Sequence, residues 1–404
     1  MVEETDFSRL ESQYEINLSI QMETPLRIGA TDMAAQYSIS SAPVLLSYDA
    51  GNKNYVPFIP GSSLKGVMRA AAERILKTNL YDGDWGKTEK KAVSIVENLF
   101  GSMKARSKVT VRDFYPEGGE IWQVKDRPHV NPRKGRNGKM RPNFRTEEVI
   151  EPLKFTGTIR VDNPTEGELQ LLNWVINEFE YRRLQIGGAS SRGNGFASPT
   201  IDRVIKKSLD GIKIIEEVVE LPKVQPVRNY EPLDCKDFDA YATSENRGAV
   251  VYEFSVECLS DFRVPGVGED TVTMNDLPVI PGSTIKGFLR KEMNTRWNRE
   301  EVKEVFGSTQ MGGDASRMVV SDAFFWELPS NIPRDYLPAG SELTGWIFFH
   351  NMKFSQIDDI VQLLSRENRI TGKTSARMKP NKVRFSVDRK WHYLPNDPYP
   401  EGTV

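Results

Sequence analysis

At 404 residues, 38% hydrophobic and 27% charged, the chain exceeds what one hydrophobic core normally covers, so two domains and a connector are expected. No apolar run is long enough to span a bilayer, and the opening residues MVEETDFSRLESQ are acidic and polar where a secretory leader is basic and then apolar, which predicts a cytoplasmic protein with no membrane partner. The net charge of −2 argues against a uniformly basic nucleic-acid binder, and two cysteines, Cys235 and Cys258, exclude a disulfide framework or a Cys-rich zinc site and read as buried, inert thiols.

The first predicted element is the alternating strand YEINLSIQM (14–22), followed by an irregular loop and then PFIPGSSLKGVMR (57–69), which opens a helix. Leu64, Val67, Met68, Ala71 and Ile75 fall at helical spacing and form its core stripe. LFGS (99–102) and the β-branched segment SKVTVRDFY (107–115) come next. Between Lys125 and Arg145 lie eight basic residues against one acid, Asp126, so that a neutral chain carries a basic island. A strand FTGTIRV (155–161), a helix EGELQLLNWVINEFEYR (166–182) and a glycine-rich loop QIGGASSRGNGFASP (185–199) complete the unit. Residues 206–247, with Pro222, Pro226 and Pro232, read as a connector.

The order then repeats. PVIPGSTIKGFLR (278–290) matches residues 57–69 at eight of thirteen positions, and VFGST (305–309), SRMVVSDAFF (316–325), LTGWIFF (343–349) and QIDDIVQLLSREN (356–368) follow in the earlier order. Two copies of one α+β domain are therefore expected, each a ferredoxin-like βαββαβ arrangement. Their predicted extents are 1–205, with a basic insert at 115–150, and 248–404, ending in a proline-rich aromatic tail after Lys390; residues 206–247 link them.

A Pro-Gly-Ser turn before a helix offers Ser62 or Ser63 as N-cap and outward amides suited to phosphate. Lys65 and Arg69 share one face four residues apart, and Gly66 within the helix makes sense if another backbone approaches closely. Ser283, Lys286, Gly287 and Arg290 repeat this set. An ordinary capped helix with solvated charges is the competing interpretation, and reuse of the constellation favours phosphate. Arg192 in the glycine-rich loop is a further phosphate candidate, with Lys373 and Arg377 in its diverged second-copy counterpart (369–385). In the basic insert, Arg127, Arg133, Lys134 and Arg136, interleaved with Trp122, His129 and Phe144, suit RNA contact by charge and stacking. The three histidines, His129, His350 and His392, have no metal-ligand spacing, and no Walker, Rossmann or serine-hydrolase motif is present.

The PxIPGSSLKG helix start, the FGS element and the GGxxSRGxG loop together resemble the RAMP superfamily of CRISPR proteins over most of both copies. In particular the chain resembles the backbone subunit of type III effector complexes, doubled here as in type III-D fusions. That resemblance implies RRM-related palms, a thumb hairpin at the basic insert, and assembly with CRISPR guide RNA, complementary target RNA and other effector subunits. It also implies cleavage of target RNA assisted by Mg2+ or Mn2+, with an aspartate from the loop before the PGS motif. In the first copy the family's Asp-x-Pro-Val pattern reads Ser41-Ala42-Pro43-Val44, leaving Asp32 as a substitute; in the second, Asp270 is the first candidate for catalysis and metal, beside Glu269 and Asp276. A scaffold without catalysis, and an unrelated phosphate-binding α+β enzyme, are the alternatives.

Overall fold

A computed structural model describes residues 10–30, 43–49, 53–80, 85–103, 105–117, 122–130, 133–134, 140–141, 144–180, 184–210, 213–222, 247–263, 271–307, 316–326, 332–370 and 381–393. The first copy runs β1 (Ser12–Met22), β2 (Leu46–Asp49), β3 (Asn54–Pro57), α1 (Gly61–Asn79), α2 (Trp85–Phe100), β4 (Val109–Val111), β5 (Tyr115–Pro116), β6 (Val124–Val130), β7 (Arg133–Lys134), β8 (Met140–Arg141), β9 (Phe144–Ile150), β10 (Lys154–Asp162), α3 (Glu166–Glu180), a 3-10 turn (Ser190–Arg192), β11 (Ala197–Asp210) and β12 (Lys213–Val219). The second runs β13 (Arg247–Cys258), β14 (Thr273–Met274), β15 (Leu277–Pro278), α4 (Gly282–Met293), α5 (Arg299–Phe306), β16 (Met318–Val320), β17 (Glu342–Lys353), α6 (Phe354–Leu364), β18 (Glu367–Ile370) and β19 (Asn381–Tyr393).

Each copy builds one antiparallel sheet, ordered β12-β11-β1-β10-β4 in the first and β16-β17-β13-β19-β18 in the second. With the outermost additions β12 and β18 set aside, both reduce to the ferredoxin-like order, in which the first strand lies between the third and the fourth and a helix follows the first and the third. The period-two pattern of β1 puts Ile16, Leu18, Ile20 and Met22 into the core. Against them pack Leu64, Met68, Ala71 and Ile75 of α1 and Leu172, Val175 and Ile176 of α3. The second core repeats this with Phe254 and Val256 of β13 under Ile285, Leu289 and Met293 of α4 and Ile357, Ile360 and Leu364 of α6.

Two features depart from the sequence-based expectation. Strand β11 runs through residue 205 and pairs with β12 from Val204↔Val219 to Asp210↔Lys213, so the first half of the expected connector is sheet belonging to the first copy. Leu221 is buried in that same core. Helices α2 and α5 were not anticipated, and both end at the glycine of the FGS element: Gly101 and Gly307 take positive φ of +86° and +79°, a backbone conformation that glycine adopts readily and that cannot continue an α-helix. Among the described residues no helix is long and apolar enough to cross a membrane. Cys258 is fully buried, and burial pushes its thiol up to about 12, as expected of an inert core cysteine; Cys235 lies outside the described residues.

Candidate functional site

The repeated PGS helix starts form the same lock twice. The N-caps are Pro60 and Pro281, with no side-chain cap, which corrects the expectation that Ser62 or Ser63 caps the helix. The first amide of each helix is instead taken by a carboxylate: Gly61 N–H donates to Asp113 Oδ1 at 2.7 Å and Gly282 N–H to Asp322 Oδ1 at 2.9 Å. Glycine is required there because a Cβ would lie 2.1 Å from the Val111 carbonyl oxygen in one copy and from that of Val320 in the other. A carboxylate already sits where a phosphate would bind, so these helix N-termini are neutralised from within.

The lysines are committed too. Lys65 Nζ donates to Ser107 Oγ (2.7 Å) and the Val109 carbonyl (2.8 Å), and Lys286 Nζ to Ser316 Oγ (2.6 Å) and the Met318 carbonyl (2.9 Å). Arg69 donates to the Gly101 carbonyl at 2.8 Å. Each lysine therefore ties its helix to the strand beside it, which corrects the expectation that it reaches outward to phosphate. Burial lowers both ammonium groups, and Lys286, which also feels Arg290 and Arg192, falls to about 7. Arg290 is lowered by burial as well. What stays open is a small polar face. Ser62 and Gly66 are exposed, four residues apart, and nothing lies within 4 Å of a Cβ built on Gly66 or on its counterpart Gly287. Among the described residues, no backbone of this chain approaches there, so the space at Gly66 is open. Ser283, the counterpart of Ser62, is half-buried.

The basic insert folds as a hairpin. Strands β6 and β9 pair from Val124↔Ile150 to Val130↔Phe144, and pairing resumes at Arg133↔Arg141 and Lys134↔Met140. Its root is wedged against the second copy. Arg127, expected to contact RNA, is buried and forms an ion pair with buried Asp322. Lys125 pairs with Asp276 at 2.9 Å, holding that carboxyl below its usual range. Glu151 accepts the Asn275 amide; burial raises its carboxyl. Trp122 packs on the first core instead of standing out for stacking. On β9, buried Glu147 holds Arg27 (3.3 Å) and the expected phosphate ligand Arg192. That second pair fixes the glycine-rich loop, whose Gly193 has φ +84° and would put a Cβ 2.3 Å from the Val320 carbonyl oxygen of the second copy. Hairpin root, glycine loop and second-copy helix start thus form one block.

Of the basic island, Lys125 and Arg127 are neutralised at the root, whereas Arg133 and Lys134 lie on the distal strands. Arg136, Lys373, Arg377, Asp32, Glu269 and Asp270 lie outside the described residues, as do the side chains of Arg133, Lys134, His129 and Phe144. Among the described residues no cluster of three or more His, Cys, Asp or Glu could hold a metal ion.

Comparison with known proteins gives one family. The model of the RAMP superfamily matches residues 19–198 and 255–396, one stretch in each copy. A search of curated proteins finds no match.

Proposed function

Because the chain belongs to the RAMP superfamily through both of its copies, and is thereby a CRISPR-associated RNA-binding protein, we propose that it is the guide-RNA-gripping backbone subunit of a type III RNA-guided interference complex in the cytoplasm. The observation that carries this is the hairpin arm. Its root is clamped between two RAMP folds by Arg127–Asp322 and Lys125–Asp276, while the remaining basic residues, Arg133, Lys134, Arg136, Lys139, Arg141 and Arg145, fall beyond it in sequence. A rigidly rooted, distally basic arm suits insertion along an RNA backbone, where phosphate contacts hold and base pairing supplies sequence specificity.

The exposed Ser62–Gly66 face and its counterpart at Ser283–Gly287 support a guide strand lying across both copies, since small residues let a sugar-phosphate backbone come close. Lys373 and Arg377, in the second copy's diverged counterpart of the glycine-rich loop, would extend that track.

Target cleavage is the finer part of the proposal. Asp270, in the loop before the second PGS motif, would bind Mg2+ or Mn2+ or take the 2′-hydroxyl proton, with Glu269 beside it and Asp32 as the first-copy alternative. Asp276 is less suited, because its carboxylate already pairs with Lys125.

The test is to purify the chain with its native partners, extract the nucleic acid, and incubate the particle with complementary RNA with and without Mg2+. Guide-length RNA and metal-dependent cuts at fixed positions, lost in Asp270→Ala, support the nuclease. Guide RNA without cuts leaves a scaffold. No RNA at all overturns the assignment.

A further inference from the structure

The two sheets turn unlike faces away from their helices. In the first copy that face closes on itself: Thr158 Oγ1 donates to Asn17 Oδ1 at 3.0 Å, and Lys154 pairs with Glu117 at 2.8 Å. Strand register identifies the same places in the second copy. Thr158 lies opposite Asn17 as Trp346 lies opposite Glu253, and Lys154 lies opposite Gln21 as Glu342 lies opposite Glu257. Tyr115 meets Thr156 as Phe324 meets Thr344, so Trp326, two residues on, stands where Glu117 stands. The ion pair of the first copy therefore has no counterpart in the second: its lysine position holds a carboxylate, and its glutamate position holds a tryptophan.

The exchange leaves a hollow of about 530 Å³ lined by Glu253, Phe325, Trp326, Glu342 and Thr344. Trp326 stacks on Phe324 with ring centroids 6.3 Å apart and meets buried Trp346 edge-on at 5.9 Å. Its ring is held in place, yet it stays 64% exposed. Glu342 is exposed as well and, among the described residues, forms no ion pair. The cations of this sheet stand elsewhere: Arg384 is engaged by Glu257 (3.0 Å) and Glu367 (3.1 Å), and Arg369 and Lys382 pair across β18 and β19, at the edge opposite β17. A fixed indole beside two carboxylates attracts a cation, and a guanidinium suits it best, since it stacks on the ring and forks onto a carboxylate. A phosphate backbone would meet two carboxylates and no cation in the hollow, which disfavours RNA.

We propose that this hollow docks an arginine-bearing segment of a second polypeptide, its guanidinium lying on Trp326 and reaching Glu342, so that a partner supplies to the second copy the cation that Lys154 supplies to the first. Charge complementarity selects the partner. An exposed tryptophan set among polar groups is the kind of residue on which interface energy concentrates, and a hollow of this size has room for an arginine together with its flanking residues. The docking goes beyond the RNA-gripping role, which rests on the hairpin arm and not on this face.

Photo-crosslinking benzoylphenylalanine in place of Trp326, in the full chain expressed in its host, reads the contact directly. The expected product joins residue 326 to an arginine-containing segment of another polypeptide. Glu342→Arg is expected to lower retention of that polypeptide by at least about tenfold, with recovery when the arginine of the cross-linked segment is changed to glutamate. The double variant Trp326→Glu with Glu342→Lys rebuilds the ion pair of the first copy; it is expected to keep the melting temperature of the native chain and to lose the partner. Cross-links to RNA, to this same chain, to a segment without arginine, or to nothing overturn the inference, as does unchanged retention in Glu342→Arg. Each of these outcomes leaves the proposed function standing, because guide RNA extracted from the same preparation tests that separately.

Discussion

Arg127 and Asp322 meet across the seam between the two copies, both buried, and the same aspartate accepts the first amide of helix α4 at 2.9 Å. One carboxylate thus serves two elements, a helix start and a hairpin 195 residues earlier in the chain. Removing the arginine leaves a desolvated charge without its counterion. Arg127→Met is therefore expected to cost about 3–5 kcal/mol of stability, measured by urea denaturation. Adding Asp322→Asn should recover part of that loss, since an amide oxygen still accepts from Gly282 and no charge is stranded. A single-variant cost under about 1 kcal/mol would show that the pair does not hold the seam.

Two glycines make opposite predictions. Gly193 sits at φ +84° with the Val320 carbonyl where a Cβ would go, so Gly193→Ala is strained in its backbone and forces the loop off the second copy. A loss of about 1–3 kcal/mol is expected in calorimetry. Gly66 is helical with open space around it, and Gly66→Ala should stabilise the chain without RNA by about 1 kcal/mol. If a guide strand lies on that face, Gly66→Trp weakens RNA affinity while leaving the melting temperature of the RNA-free chain in place. Equal RNA affinity for Gly66→Trp and the native chain would remove this face from the RNA path.

The duplication and the ferredoxin-like order were legible because strand alternation and a motif repeated at eight of thirteen positions are local properties of the sequence. The role of the motif was not. Lys65 and Lys286 look like surface cations until the Ser107 and Ser316 hydroxyls, some 30 to 40 residues away in sequence, are brought beneath them. Arg127 and Arg192 were read as RNA ligands for the same reason: their partners Asp322 and Glu147 are distant in the chain. The capping aspartates were overlooked although the signal was present, since Asp113 and Asp322 occupy equal places in SKVTVRDFY and SRMVVSDAFF.

Lys286 gives the second copy a pH dependence. Its pKa falls from 10.5 to about 7 on folding, by burial first and then by Arg290 and Arg192. Between pH 7 and 10.5 the unfolded chain therefore binds more protons at this site than the folded one, and stability rises with pH across that window. Other groups titrate there, so the measurement is a difference: unfolding free energy from pH 6 to 10 for the native chain minus that for Lys286→Met. The difference should grow in favour of the native chain as pH rises, and level off below pH 7. A pH-independent difference would mean that Lys286 stays charged in the folded state.

The arm predicts how RNA binding responds to salt. Replacing Lys125 or Arg127 breaks ion pairs to the second copy, so these variants should act through stability. Replacing Arg133, Lys134 and Arg136 together by glutamine should leave the melting temperature within a degree or two, because in sequence they lie beyond the root that Lys125 and Arg127 fix to the second copy. If each neutralises one phosphate, removing three contacts on single-stranded RNA lowers the slope of log affinity against log salt by about 2. Fluorescence anisotropy with a labelled guide RNA at several salt concentrations separates the two classes. An unchanged slope in the triple variant would assign the arm's charge to protein contacts, and the RNA path would then have to run along the helix starts alone.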